Sequence, residues 1–178
     1  MKTTEKNDIL NQMAQDNEAH EIAEYIWQFD SGKEWPCATV FEAKHGNETD
    51  NLAVIKAIIE ILKTQNLKCG KLILGVANPE AFLKGQRFVD VDLNRCFGQT
   101  FPTLEHIAKQ DSSEYKRVKV LKPVLEKTDF FIDLHATIKP SSPFMVVPNL
   151  NHDFAKHLPA FGLNYMLTLM QLIMTPLP

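Results

Sequence analysis

Apolar positions recur along this chain at two periods, and the changes from one to the other outline its elements. Residues 8–29 place Ile9, Leu10, Met13, Ile22, Ala23 and Ile26 at roughly helical spacing, which predicts an amphipathic N-terminal helix. Asp30-Ser31-Gly32 would end it, Gly32 suiting a helix C-terminus. Residues 37–43, rich in small and β-branched residues, predict a strand, followed by a polar loop over 44–50. From 51 to 65, Leu52, Ile55, Ile58, Ile59 and Leu62 form a stripe that predicts a helix capped by Asp50 or Asn51.

Residues 71–77 are almost wholly apolar, as in a strand buried on both faces, and Asn78-Pro79 breaks the run. The stretch 80–111 reads as irregular. Ser112 or Ser113 can cap a helix to about Lys127, with Pro123 placed to kink or shorten it. Further strands are predicted at 130–134 and 144–147, and a helix at 151–157. Strands alternating with helices predict an α/β fold with a parallel or mixed central sheet flanked by helices. In open sheets of this kind ligands bind beyond the carboxyl ends of the strands. His45 with Glu48, Asn78, and His135 all fall at or just after such ends.

The length of 178 residues fits one domain, with residues 1–36 as a helical extension. The net charge of −3 shows no polybasic stripe, so nucleic acid is not an expected partner. The acidic excess is local: residues 1–36 carry three Lys against eight Asp or Glu. No apolar run reaches membrane-spanning length and no signal-peptide core opens the chain, which predicts a cytoplasmic protein without membrane contact. Cys37, Cys69 and Cys96 are odd in number and lack C-x-x-C spacing, so they read as reduced, buried thiols and not as zinc ligands. His20, His106, His152 and His157 read as surface or structural.

Three fragments carry candidate chemistry. In His45-Gly46-Asn47-Glu48, a nitrogen and a carboxylate lie three residues apart on a tight loop, where Gly46 frees the backbone to fold them together. H-x-x-E alone arises often by chance. His135 follows strand residues 130–132, and Asp133 shares its face by the period of two, as a carboxylate oriented to hold an imidazole or as a structural acceptor. Two His and one carboxylate make the ligand set of hydrolytic zinc sites, which leave a fourth position open. In residues 87–95, RFVDVDLNR, Arg87, Asn94 and Arg95 offer donors for anions. Ion pairing of those arginines with Asp90 and Asp92 accounts for the composition equally well.

Taken in order, H-G-N-E, the Asn78-Pro79 turn, R-F-x-x-x-D-L-N-R and Asp133-Leu134-His135-Ala136-Thr137 resemble the succinylglutamate desuccinylase/aspartoacylase family, a branch of the zinc carboxypeptidase superfamily. The resemblance covers roughly residues 37–150. It implies a zinc-dependent hydrolase of linear amides that releases an acyl group from a small N-acyl acidic amino acid. The Ala-Thr-Ile after His135 leans toward N-succinylglutamate over N-acetylaspartate. By motif position His45, Glu48 and His135 would bind Zn2+, Arg87 would steady the oxyanion, and Asn94 with Arg95 would hold a substrate carboxylate. Zinc acidifies water and polarises a carbonyl, which suits this chemistry.

Family members usually run longer, and their catalytic glutamate lies beyond the covered region. No Asp or Glu follows Asp153, so the general base, worth about 10²–10⁴ in rate, is expected to be missing together with the C-terminal part of the family fold. Glu42 and Asp50 flank the zinc loop as weak substitutes. The apolar tail is a candidate surface for self-association into a homo-oligomer. Two rivals stand beside the acylase reading: a carboxypeptidase-like peptidase with the same ligands, and a catalytically silent domain that binds metal or carboxylate.

Overall fold

The computed structural model describes Asn11, residues 19–97 and residues 111–137. The chain divides into two compact units, Met1–Ala136 and Thr137–Pro178, and the architecture below is that of the first. Among the described residues five strands form one sheet: β1 (Ala19–Ala23), β2 (Ile26–Asp30), β3 (Cys37–Glu42), β4 (Lys71–Val76) and β5 (Phe130–Asp133). Helix α1 spans Leu52–Thr64, α2 Pro79–Lys84 and α3 Ser113–Leu125, with a 3-10 turn at Leu93–Arg95.

The strand order is β1-β2-β4-β3-β5. β3 pairs parallel with both β4 and β5, whereas β2 pairs antiparallel with β4 and with β1. The sheet is therefore mixed, as the strand and helix pattern predicts. From β3 the chain passes through α1 to β4 on one side, and it later returns through α3 to β5 on the other. β3 is thus the point where the strand order reverses, and the crevice at its carboxyl end is where such sheets hold ligands.

The two faces are covered by different helices. α1 turns Leu52, Ile55, Ile59 and Leu62 onto Val40, Leu74, Val76, Trp27 and Phe29. α3 turns Leu121, Val124 and Leu125 onto Cys37, Phe41, Ile73 and Ile26. Neighbouring residues of β4, Ile73 and Leu74, enter opposite cores, which is why that strand is apolar at nearly every position. Burying each such side chain contributes roughly 1.5–3 kcal/mol.

The predicted N-terminal helix is not what residues 19–30 form. They make the β1–β2 hairpin, with Tyr25 at a φ of 59° in the turn. The helical reading counted Ile22, Ala23 and Ile26, yet Ile22 ends up 42% exposed. The decisive signal was the alternation Tyr25, Trp27, Phe29: the last two bury on one face while Ile26 buries on the other. An aromatic run at period two fits a pleated, buried strand better than a helix. So residues 19–30 are an integral edge of the sheet rather than a helical extension.

The remaining differences are smaller. α1 begins with Asn51 in the cap position, but no side-chain hydrogen bond caps it. The stretch expected to be irregular contains α2 and the 3-10 turn. Pro123 sits inside α3, which runs two residues beyond it. Cys37 and Cys96 are buried as expected, whereas Cys69 is exposed, being on the polar approach to β4. Among the described residues no helix is long and apolar enough to cross a membrane. The strand predicted at 144–147, the helix at 151–157, and His106, His152 and His157 lie outside the described residues.

Candidate metal centre

β3 ends at Glu42, and the chain turns at once through Ala43 (φ 50°), Lys44 and His45. The turn closes with the Glu48 N–H donating to the His45 carbonyl at 3.0 Å. Gly46 is required here by close approach and not by a positive φ. A Cβ on it would lie 2.1 Å from the Ala81 carbonyl carbon and 2.2 Å from the Phe82 nitrogen, both backbone atoms of α2. Its N–H donates to the Arg87 carbonyl at 3.2 Å, which joins the first fragment to the third.

α2 is held in that place by Asn78. Its Oδ1 accepts the Ala81 N–H at 3.3 Å, with Pro79 beginning the helix, and its Nδ2 donates to Glu114 Oε1 at 3.1 Å. Glu114, completely buried in the first turn of α3, also accepts the N–H groups of Val89, Asp90 and Val91 at 2.7, 3.1 and 3.2 Å. One carboxylate thereby organises the loop between Arg87 and Asn94. Nothing in the sequence singled out Glu114; an acidic residue in a first helical turn is too common to be a signal.

At the mouth of the sheet, His45, Glu48 and His135 come together, their ligand atoms all within 4.8 Å of one another. His45 Nδ1 lies 2.7 Å from Glu48 Oε1 and His135 Nδ1 lies 3.0 Å from Glu48 Oε2. The Ala136 N–H also donates to Oε2, at 3.0 Å. Two imidazole nitrogens and a carboxylate oxygen gathered this closely are donors of the kind that would hold a zinc ion. The donor set, two imidazoles and one carboxylate on the ends of two neighbouring strands, fits a metal.

The outward nitrogens are also held. His135 Nε2 lies 3.0 Å from Asp133 Oδ2. His45 Nε2 lies 3.1 Å from Asn94 Nδ2 and 3.3 Å from Asp92 Oδ1. An imidazole that gives Nδ1 to a cation must carry its proton on Nε2, and Asp92 is then the acceptor within reach. A carboxylate behind each metal-facing imidazole is the usual way of fixing tautomer and ring orientation. The period-two placement beside His135 offers Asp133 for this role from sequence; Asp92 reads there only as an ion-pair partner.

Charge follows geometry. Burial pushes the Glu48 carboxyl upward, but hydrogen bonds from His135, His45 and the Ala136 N–H win and hold it far below the usual carboxylate range. Burial likewise raises the Asp133 carboxyl, and the His135 hydrogen bond with the Lys44 ammonium brings it below its ordinary value. His135 is pushed up to about 9, first by its hydrogen bond to Asp133 and then by that to Glu48, against the opposing effect of burial.

Arg87 reaches the cluster, with Nη1 3.4 Å from Glu48 Oε1 and Nη2 3.6 Å from Asp92 Oδ2, its side chain 44% exposed. Asn94 is on the 3-10 turn and touches His45, while Arg95 on the same turn is exposed. Of the two weak substitutes for a base, Glu42 is fully buried in β3 and Asp50 is exposed before α1; neither belongs to the three-residue cluster. His20 is exposed on β1.

The same architecture occurs in solved structures. A succinylglutamate desuccinylase from Chromobacterium violaceum superposes with a TM-score of 0.63 at 19% identity, covering 82% of this chain and 51% of that one. A metallo-carboxypeptidase from Pseudomonas aeruginosa superposes with a TM-score of 0.61 at 16% identity, covering 79% and 41%. The fold is thus that of the zinc carboxypeptidase-like proteins. Within that class, residues 37–173 match the succinylglutamate desuccinylase/aspartoacylase catalytic domain, and the chain belongs to that family. A probable aspartoacylase of Acaryochloris marina is 30% identical over 121 residues, 66% of this chain and 40% of the relative. A succinylglutamate desuccinylase of Serratia proteamaculans is 28% identical over 105 residues, 54% of this chain and 31% of the relative. The chain therefore spans well under half the length of these curated relatives.

Proposed function

We propose that this chain carries the zinc centre of an amide hydrolase that removes the acyl group from an N-acyl acidic amino acid, with N-succinylglutamate favoured over N-acetylaspartate. The observation that carries the reading is the meeting of His45, Glu48 and His135 donor atoms within 4.8 Å at the sheet's switch point. Both Nδ1 atoms and the Glu48 carboxylate would hold the ion. When bound, zinc would acidify water and polarise the scissile carbonyl.

The chain's own residues supply the rest. Asp92 and Asp133 orient the two imidazoles. Arg87, beside Glu48 yet exposed enough to meet a ligand, steadies the oxyanion of the acyl carbonyl. Asn94 and Arg95, on one turn at the edge of the cluster, anchor a substrate carboxylate, for which a guanidinium fork is suited. The lean toward the succinyl substrate rests on the Ala136-Thr137-Ile138 sequence after His135.

The test is metal content by mass spectrometry together with a substrate panel. Zinc near one per chain and release of succinate or acetate from the N-acyl amino acids supports the reading. Release of C-terminal residues from peptides instead would assign the site to a peptidase. Stoichiometric zinc with no turnover on any substrate would make this a metal-binding domain without activity.

A further inference from the structure

Lys44 is out of place for a surface cation. It sits two residues beyond the end of β3 and directly before the candidate ligand His45, and it is only 8% exposed. Its ammonium pairs with the Asp133 carboxylate and lies 5.9 Å from the Phe97 ring centroid and 5.8 Å from that of Phe131. A lysine ammonium is strongly hydrated, and taking it out of water is costly. A buried ion pair is often no more stabilising than apolar residues of similar volume. Stability alone therefore gives no reason for a lysine here.

Its position gives one. Lys44 immediately precedes His45, and Asp133 stands two residues before His135. Their ion pair ties together the ends of β3 and β5 directly behind the two imidazoles. Asp133 Oδ2 takes both partners, Lys44 and the His135 Nε2 at 3.0 Å, while its buried Oδ1 has no hydrogen-bond partner among the described residues. The direction of that carboxylate is thus set by the lysine, and the carboxylate in turn sets which ring nitrogen of His135 faces Glu48.

We propose that Lys44 is a positioning residue of the candidate metal centre, acting through Asp133 to hold His135 with Nδ1 toward the ion. The inference rests on the reading that His45, Glu48 and His135 bind metal. Because Lys44 and Asp133 together are neutral, repulsion between the lysine and a dication is offset, and the loss of orientation dominates when the lysine is removed.

The experiment compares zinc affinity, by competition with a chromophoric chelator, for metal-stripped wild type, K44M, K44R, D133N and K44M/D133N. K44M is expected to weaken zinc by about 10–100-fold, as loss of an orienting partner does. K44R should recover most of that loss. The double variant should bind no more weakly than D133N, because Lys44 acts only through Asp133 and its unpaired charge beside the ion is removed with it. Cobalt-loaded K44M should also show an altered visible band, which a mere loss of stability does not produce. Wild-type affinity in folded K44M, or effects of K44M and D133N that multiply independently, overturns the proposal. Should K44M not fold, D133N decides: a folded D133N with wild-type affinity overturns it as well. Absence of zinc binding by the wild type sinks the metal reading itself, an outcome distinct from a failure of Lys44 alone.

Discussion

The imidazole rings of His45 and His135 stand 5.1 Å apart between centroids, one placed by the turn after β3 and the other by the end of β5. Each directs Nδ1 at a different oxygen of Glu48, so a single carboxylate gathers both rings. An ion bound there would take the place of the hydrogen bonds that join both rings to Glu48.

That competition gives a pH dependence. His135 is pushed up to about 9, so at neutral pH both ring nitrogens carry a proton, Nε2 donating to Asp133 and Nδ1 to Glu48. A cation at Nδ1 expels the proton there. Zinc affinity should therefore rise by about tenfold per pH unit from pH 6 toward pH 9 and then level off. Calorimetry at pH 7 in buffers of different ionisation enthalpy should register proton release on binding. His135→Ala should abolish tight binding; stoichiometric zinc retained by that variant would remove His135 from the ligand set.

Gly46 offers a steric test of the same loop. A methyl group there meets the backbone of Ala81 and Phe82 at 2.1–2.2 Å, and backbone cannot swing aside as a side chain could. Gly46→Ala should cost about 3 kcal/mol of stability by overpacking and should separate His45 from Glu48, lowering zinc affinity as well. Urea unfolding and zinc competition measure the two effects. An alanine variant with unchanged midpoint and affinity would mean that the loop and α2 are not in such contact.

Much of this arrangement was legible in the sequence, for identifiable reasons. The apolar run of β4 and the stripe of α1 follow from burial on two faces and on one face, and a strand-helix alternation leaves few ways to connect them. His45, Glu48 and His135 could be brought together because ligands in such sheets gather at strand ends. The β1–β2 hairpin is hidden from a helical reading because Ile22, Ala23 and Ile26 satisfy a helical period by accident, while the aromatic alternation at 25, 27 and 29 carries the information. Lys44, Asp92 and Glu114 could not be assigned from sequence, since a charged residue reads as solvent-facing until a tertiary partner is known. Gly46 was read as a flexible link, whereas its lack of a side chain serves contact with α2, which a local pattern does not reveal.

Glu114 is the clearest case of a tertiary partner deciding a residue's role. It accepts hydrogen bonds from Asn78 Nδ2 and from three consecutive N–H groups, at Val89, Asp90 and Val91, with no exposure to water. Glu114→Ala would leave these donors buried without acceptors, each costing about 1–3 kcal/mol before relaxation. The expected net loss is about 3–5 kcal/mol, seen as a lower denaturant midpoint. Hydrogen exchange should rise first at Val89, Asp90 and Val91. Uniform exchange along the chain would instead make Glu114 a general core residue with no special hold on the loop.

Arg87 separates binding of metal from use of it. Its contacts to Glu48 and Asp92, at 3.4 and 3.6 Å, are looser than a tight bidentate pair, and its side chain is 44% exposed. An arginine ion pair of that exposure adds little to stability, about 0–1 kcal/mol. Arg87→Ala should thus leave folding and zinc stoichiometry nearly intact. If its guanidinium faces the developing oxyanion, removal of that donor should lower kcat by about 10²–10³ on whichever N-acyl amino acid is turned over. Arg87→Lys should recover only part of the loss, because an ammonium keeps the charge but not the planar fork. Parallel assays of zinc content and initial rate distinguish the cases: equal loss of zinc and rate would make Arg87 a support for Glu48, and an unchanged rate would take it out of the reaction.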